Sequence, residues 1–187
     1  PYFNHPGFSR ANARLATEAV RELGRRSEDL HDDAQIRLVF VTHSISTGMD
    51  DTSGPGDGEG NAYRRQHLEL AAAITAEVNA TLSRTIRHEL VYCSRSGPPT
   101  QPWLEPDVNH ALRKMAGDGV KTVVVVPIGF ISDHMEVRFD LDTEAAQTAQ
   151  RLGLDLVRVP TVGTDAQFVS GLVDLSLIHI SEPTRRR

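Results

Sequence analysis

The chain has 187 residues, 39% of them hydrophobic and 24% charged, which is enough for one well-filled domain and excludes disordered, collagen-like and disulfide-scaffold classes. Its formal charge of −5, from 20 basic and 25 acidic residues, argues against nucleic acid or an anionic membrane as the main partner and leaves a small molecule or a metal. Cys93 is the only cysteine, so an intrachain disulfide and a Cys-rich zinc site are both excluded, and a reducing cytoplasm suits the chain.

From Pro1 the sequence lacks the basic-then-apolar pattern of a signal peptide and reads as cut from a longer protein. Ser9 is a candidate N-cap, and Leu15, Ala19, Val20 and Leu23 follow at helical spacing, which predicts an amphipathic helix over 9–26. A polar linker, Ser27–Gln35, leads to the apolar run Ile36–Val41, a strand covered on both faces, with His43 just past its carboxyl end. The glycine-rich stretch Asp51–Gly60 is expected to be a mobile loop, and a helix follows over about 61–83.

His88–Tyr92 is the second strand, and a long turn over Ser94–Pro102 leads to Trp103 and a helix over about Asp107–Gly117. Val120–Ile128 is the third strand. It contributes to a charge-free run that falls far short of the ~20 apolar residues of a transmembrane helix. The polar cluster Ser132-Asp133-His134 precedes a helix over about Glu136–Leu152, Leu154–Val159 is the fourth strand, and Asp165 caps a last helix through Leu175. The remainder, Ser176–Arg187, reads SLIHISEPTRRR and resembles translated adapter sequence. It is set aside as a non-native tail, and removing its three arginines and one glutamate leaves the rest more acidic.

Four alternations of strand and helix predict an α/β fold with a four-stranded parallel sheet, right-handed crossovers, helices on both faces, and a ligand crevice beyond the strands' carboxyl ends. His43, the 94–103 turn and the 132–136 cluster all fall at that edge. An imidazole there either takes a proton or ligates a borderline metal, or is simply satisfied by a backbone carbonyl. Glu136, Asp140 and Glu144 recur every four residues, and each step rises about 6 Å and turns about 40° on an α-helix. They form either a solvated face or a path of oxygen ligands for a divalent cation.

Asp142 lies on the opposite side and is expected to be solvated. His134 and Glu136 could share a metal only across non-helical backbone, and without paired cysteines they are not a zinc deaminase site. Asp133 or Ser132 is placed to cap the helix. Trp103, the only tryptophan, offers a flat face to an aromatic ligand or plugs the core. Gly54, Gly56, Gly58 and Gly60 form neither a P-loop nor a dinucleotide fingerprint. Cys93 reads as a small buried hydrophobe.

Three ordered segments, Phe40-Val41-Thr42-His43-Ser44-Ile45, SRSGPPTQPWLEPD over Ser94–Asp107 and PIGFISDHMEVRFDLD over Pro127–Asp142, resemble ferrochelatase. The likeness covers nearly all of 1–175, and YFNHPGF over Tyr2–Phe8 is similar to the start of the second half of an actinobacterial member. The resemblance implies a two-lobed, Rossmann-like chelatase with a porphyrin cleft between the lobes. In it, 31–175 is the C-terminal lobe and 1–30 a remnant of the N-terminal lobe or its connecting helix.

On the matching positions, His43 is the metal-site histidine and Glu136 the facing glutamate, the two catalytic residues. Asp140 and Glu144 continue the metal path on a helix locally of π type, and Trp103 and Ser44 meet the substrate. Fe²⁺ is then the metal substrate and coproporphyrin III or protoporphyrin IX the acceptor, in cytoplasmic haem biosynthesis. The 187 residues are expected to be inactive without the N-terminal lobe. Some relatives carry a 2Fe–2S cluster, which Cys93 alone cannot hold. A sirohydrochlorin-type cobalt or nickel chelatase, or a non-catalytic tetrapyrrole- or metal-binding protein, is the alternative.

Overall fold

A computed structural model describes Phe3 and residues 5–26, 32–56, 58–98 and 100–181, with side chains as far as Leu177. Helix α1, Pro6–Arg26, begins ahead of the expected Ser9 cap. The His5 carbonyl accepts the N–H groups of Phe8 and Ser9 while its Nδ1 accepts that of Gly7, and Pro6 fills a first-turn position that needs no donor. Of the expected linker, 27–31 lies outside the described residues, and Asp32 caps a single 3-10 turn, Asp33–Gln35.

Strand β1, Ile36–His43, runs two residues further than expected and takes His43 in as its last residue. A short helix not foreseen in the sequence, α2 (Thr47–Asp51), follows, capped by Ser46. The loop after it, expected to be mobile, is cinched at both ends. Asp50 accepts from Arg64 N–H through Oδ1, the Asp50 carbonyl takes Asn61 N–H, and Ser53 Oγ takes Tyr63 N–H. Gly60, at φ +62, lies so close to the Asp51 carbonyl that a Cβ would stand 2.0 Å from it.

Helix α3, Ala62–Leu82, leads to β2, Arg87–Cys93. Helix α4, Val108–Gly117, is capped by Asp107, and β3, Thr122–Val126, follows. The next helix is composite: α5, Met135–Val137, widens into a π segment, Arg138–Ala145, and resumes as α6, Ala146–Leu152. Strand β4, Asp155–Arg158, and α7, Ala166–Ser181, complete the chain. Asp165 Oδ1 accepts from Gln167 and Phe168 as expected. Helix α7 passes the expected stop at Leu175, and 182–187 lies outside the described residues.

The four strands are parallel in the order β2-β1-β3-β4, as the alternation predicts. Side-chain parity divides β1. Leu38 and Phe40 pack under α1 and α3, whereas Val39 and Val41 pack under α4 and the composite helix. Val123 to Val126 are fully buried, each contributing roughly 1.5–3 kcal/mol of transfer free energy. From β1 the chain turns outward to β2, and from β3 it turns the other way to β4. The switch of direction lies between the carboxyl ends of β1 and β3, where an open parallel sheet forms its crevice.

Candidate functional site

His43 ends β1 on the α4 side of the sheet, and Glu136 opens the helix that follows β3. Their side chains meet across the switch point, with His43 Nε2 3.6 Å from Glu136 Oε1 and the two side chains 32% and 46% exposed. His43 Nδ1 lies 2.6 Å from the Ser44 carbonyl oxygen. A carbonyl only accepts, so Nδ1 carries the hydrogen, and Nε2 is the ring atom turned toward Glu136. The carbonyl-satisfied reading of His43 therefore holds for Nδ1, and Nε2 is left facing the carboxylate. At 3.6 Å the pair is too far apart for a good hydrogen bond, and matches two ligands on one ion at about 2.0–2.2 Å each.

The acidic row diverges from that pair. Ser94 Oγ donates to Asp140 Oδ2, and Ser94 itself is in the left-handed region at φ 58. Asp140 and Glu144 line a cavity of about 240 Å³ with Cys93, Ser94 and Asn109. The Asn109 Oδ1 is buried without a hydrogen-bond partner. Among the described residues no three His, Cys, Asp or Glu side chains gather tightly enough to hold one ion together. His43, Glu136, Asp140 and Glu144 are thus a facing pair followed by a row, not a single cage. The π turn keeps that row on one side, because it turns each fourth residue back where an α turn carries it forward.

Ser44 is buried, and its hydroxyl donates to the Leu104 carbonyl at 3.0 Å. It ties the tryptophan loop to the end of β1 and presents no free hydroxyl to solvent. Leu104 N–H bonds the Ile45 carbonyl and Thr47 N–H the Pro102 carbonyl, so Trp103 is held beside the strand end. Its half-buried ring packs against Gly97, and Nε1 donates to the Pro98 carbonyl at 3.4 Å.

Neither Asp133 nor Ser132 caps the composite helix, whose N-cap position is His134 with no side-chain bond. Asp133 is drawn instead to Arg158 at 2.7 Å. Asp142, expected to be solvated, is bonded side-on by the same guanidinium, at 2.7 Å to each oxygen. His134 meets the edge of Phe130. Burial pushes the Cys93 thiol up to about 12, a shift to which the nearby Asp140 and Glu136 charges add. Cys93 is therefore a packed neutral thiol, as its sequence position suggested.

On the opposite face of β1, sequence reading missed a polar network. Tyr63 Oη donates to the His43 carbonyl at 2.8 Å and contacts Thr42 Oγ1 at 2.8 Å. His67 Nε2 is 3.1 Å from the same Thr42 oxygen. Parity along β1 was the signal for Thr42, since it alternates with His43, but nothing in the helical pattern of α3 marked Tyr63 and His67.

The family model for ferrochelatase matches residues 1–179. This chain belongs to the ferrochelatase family. Over 184 residues it is 46% identical to a coproporphyrin III ferrochelatase from Leifsonia xyli, covering 94% of this chain and 46% of that protein. It is 47% identical over 181 residues to the coproporphyrin III ferrochelatase of Propionibacterium freudenreichii, covering 97% and 47%. For the Streptomyces coelicolor protein of the same name the identity is 46%, covering 94% and 46%. The chain thus spans about half the length of these relatives. A solved cobalamin biosynthesis protein, CbiX, from Marinobacter aquaeolei VT8 aligns at 14% identity and a TM-score of 0.46, covering 78% of this chain and 98% of that one, too slight a likeness to bear on the argument. Among the described residues no helix is long and apolar enough to cross a membrane.

Proposed function

We propose that this ferrochelatase-family chain is the C-terminal lobe, over 31–175, of a cytoplasmic enzyme that inserts Fe²⁺ into coproporphyrin III to give coprohaem. Residues 1–30 are then the remnant of the preceding lobe or its connecting helix, and 176–187 are a non-native tail. The activity needs the full length of the protein, since a flat macrocycle has to be gripped from both sides. The observation that carries this reading is the His43–Glu136 pair at the switch point.

Insertion puts one Fe²⁺ into the ring and releases two pyrrole protons. With Nδ1–H committed to the Ser44 carbonyl, Nε2 of His43 is the atom that takes a pyrrole proton or holds the ion, and Glu136 is its partner across the gap. Imidazole plus carboxylate suits Fe²⁺, and the lack of an accessible thiolate avoids trapping it. Asp140 and Glu144 supply oxygen ligands for hydrated iron leading to or from the pair. Trp103 offers its ring to the macrocycle, and Ser44 acts by holding the Trp103–Leu104 loop.

The test is iron insertion by the full-length protein with coproporphyrin III and protoporphyrin IX in parallel. Faster turnover of coproporphyrin III, and a fall on the order of a hundredfold or more in His43→Ala and Glu136→Ala, is the expected result. Unchanged rates in both variants refute it. Turnover of sirohydrochlorin with Co²⁺ but none of porphyrin with Fe²⁺ marks a different chelatase, and tight haem binding with no metallation marks a carrier.

A further inference from the structure

We infer that Arg158 is a positioning residue for this site, because its single guanidinium grips the composite helix on both sides of Glu136 and Asp140 and so fixes the register of the π segment. The inference rests on the reading of His43 and Glu136 as the metal-insertion pair.

Arg158 ends β4 and lies opposite Val125 in the sheet register, so its Cα is anchored by the core strands. Nε and Nη2 bond the two oxygens of Asp142 at 2.7 Å each, and Nη1 bonds Asp133 Oδ1 at 2.7 Å. The guanidinium is largely covered, with its side chain 16% exposed against 22% for Asp133 and 39% for Asp142. Asp133 precedes α5, and Asp142 lies in the middle of the π segment.

Between these two grips the chain holds one turn wider than an α-helix. Closing that turn to α geometry rotates everything beyond it by about 100° per residue of slippage, which would carry Asp142 out of reach of a guanidinium still bonded to Asp133. Both bonds are satisfied together only with the wide turn in place. Asp140 meets Ser94 on one side of the helix while Asp142, two residues on, meets Arg158 on the other, as residues i and i+2 of any helix face opposite ways. No other side chain among the described residues bonds both Asp133 and Asp142. A lysine keeps the charge but cannot fork onto one carboxylate while bonding another, so the geometry depends on arginine.

The experiment compares Arg158→Gln, Arg158→Lys, Asp142→Asn and the Arg158→Gln/Asp142→Asn double variant in the full-length protein. Each is assayed for Fe²⁺ insertion into coproporphyrin III, with a crystal structure of Arg158→Gln. The expected result is a fall in kcat on the order of tenfold to a hundredfold, as for a catalytic group moved by about 1 Å, while KM for the porphyrin changes less than about twofold. Arg158→Lys should recover part of kcat, and the double variant should be no worse than Arg158→Gln alone, because the two residues act through one contact. The crystal structure should show the 138–145 segment re-registered and the His43–Glu136 separation lengthened.

A wild-type kcat in Arg158→Gln overturns the proposal, as does an unchanged π turn in its crystal structure. If Arg158→Gln does not fold, Asp142→Asn, which cuts only the fork, must reproduce the fall in kcat, and normal turnover by it overturns the proposal. His43→Ala in the same assay separates the two claims. If it inserts iron at the wild-type rate, the metal-insertion reading is at fault, and the grip of Arg158 is then judged by the crystal structure alone.

Discussion

The phenol of Tyr63 donates to the backbone carbonyl of His43 at 2.8 Å, so a side chain from α3 braces the last peptide of β1 from the face opposite the imidazole. Tyr63→Phe removes that donor and should cost about 1–2 kcal/mol of stability, read as a lower denaturant midpoint. In the full-length protein it should also lower the insertion rate severalfold, because the peptide carrying the His43 ring is released.

His67 predicts an acid-side loss of stability. Burial pushes its pKa below the ordinary value of 6.5, against the opposing effects of the Tyr63 carbonyl and the Asp50 charge. His88 is shifted the same way by burial, with Glu89 opposing. The unfolded chain therefore takes up protons near pH 6.5 before the folded one does, and stability falls as pH drops from about 6.5 toward the lower folded values. Thermal midpoints measured between about pH 7 and pH 5 should fall steadily, and less steeply in His67→Gln. An identical slope in that variant would count against the burial of His67.

Gly129 has no room for a side chain. A Cβ there would stand 2.1 Å from Thr42 Oγ1 and 2.6 Å from Thr42 Cα, and the second contact is backbone that cannot swing aside. Gly129→Ala should cost about 3 kcal/mol. Because it displaces Thr42, its cost in an equilibrium denaturation cycle should fail to add to that of Tyr63→Phe.

At Gly97 the obstruction is an indole instead of backbone, and an added methyl would stand 2.4 Å from Cζ2 of Trp103. Gly97→Ala should leave stability nearly unchanged and push the ring outward. Trp103 is the only tryptophan in these 187 residues, so a red-shifted emission maximum of this chain reports this directly, and in the full-length protein the part of the porphyrin quenching that Trp103→Phe abolishes should be weaker in Gly97→Ala.

The sheet was legible because its signals are local: continuous apolar runs for strands covered on both faces, and Asp107 and Asp165 acting as the caps their positions suggest. His43 and Glu136 followed from topology, since residues after β1 and β3 must meet at the switch point. The motif resemblance gave the π widening, which no periodicity in 136–152 reveals. What escaped depends on partners distant in sequence. Asp142 looked solvated because Arg158, which bonds it, comes from the next strand. Asp133 looked like a cap for the same reason. Ser44 sits in the motif, yet its hydroxyl is spent on Leu104, sixty residues away. His5 in place of Ser9 at the start of α1 shows a ring nitrogen doing what a hydroxyl was expected to do.

Strand β1 is bonded to β2 along its length as far as His43 and Cys93, and on its other edge to β3, with the Val41 carbonyl taken by Gly129. The imidazole thus stands on a post built into the sheet, while the carboxylate opposite is carried by the first turn of a helix that reaches the sheet through the Arg158 grip on Asp142. The two halves of the gap are therefore set by different parts of the fold, the nitrogen by strand pairing and the oxygen by a side-chain clasp.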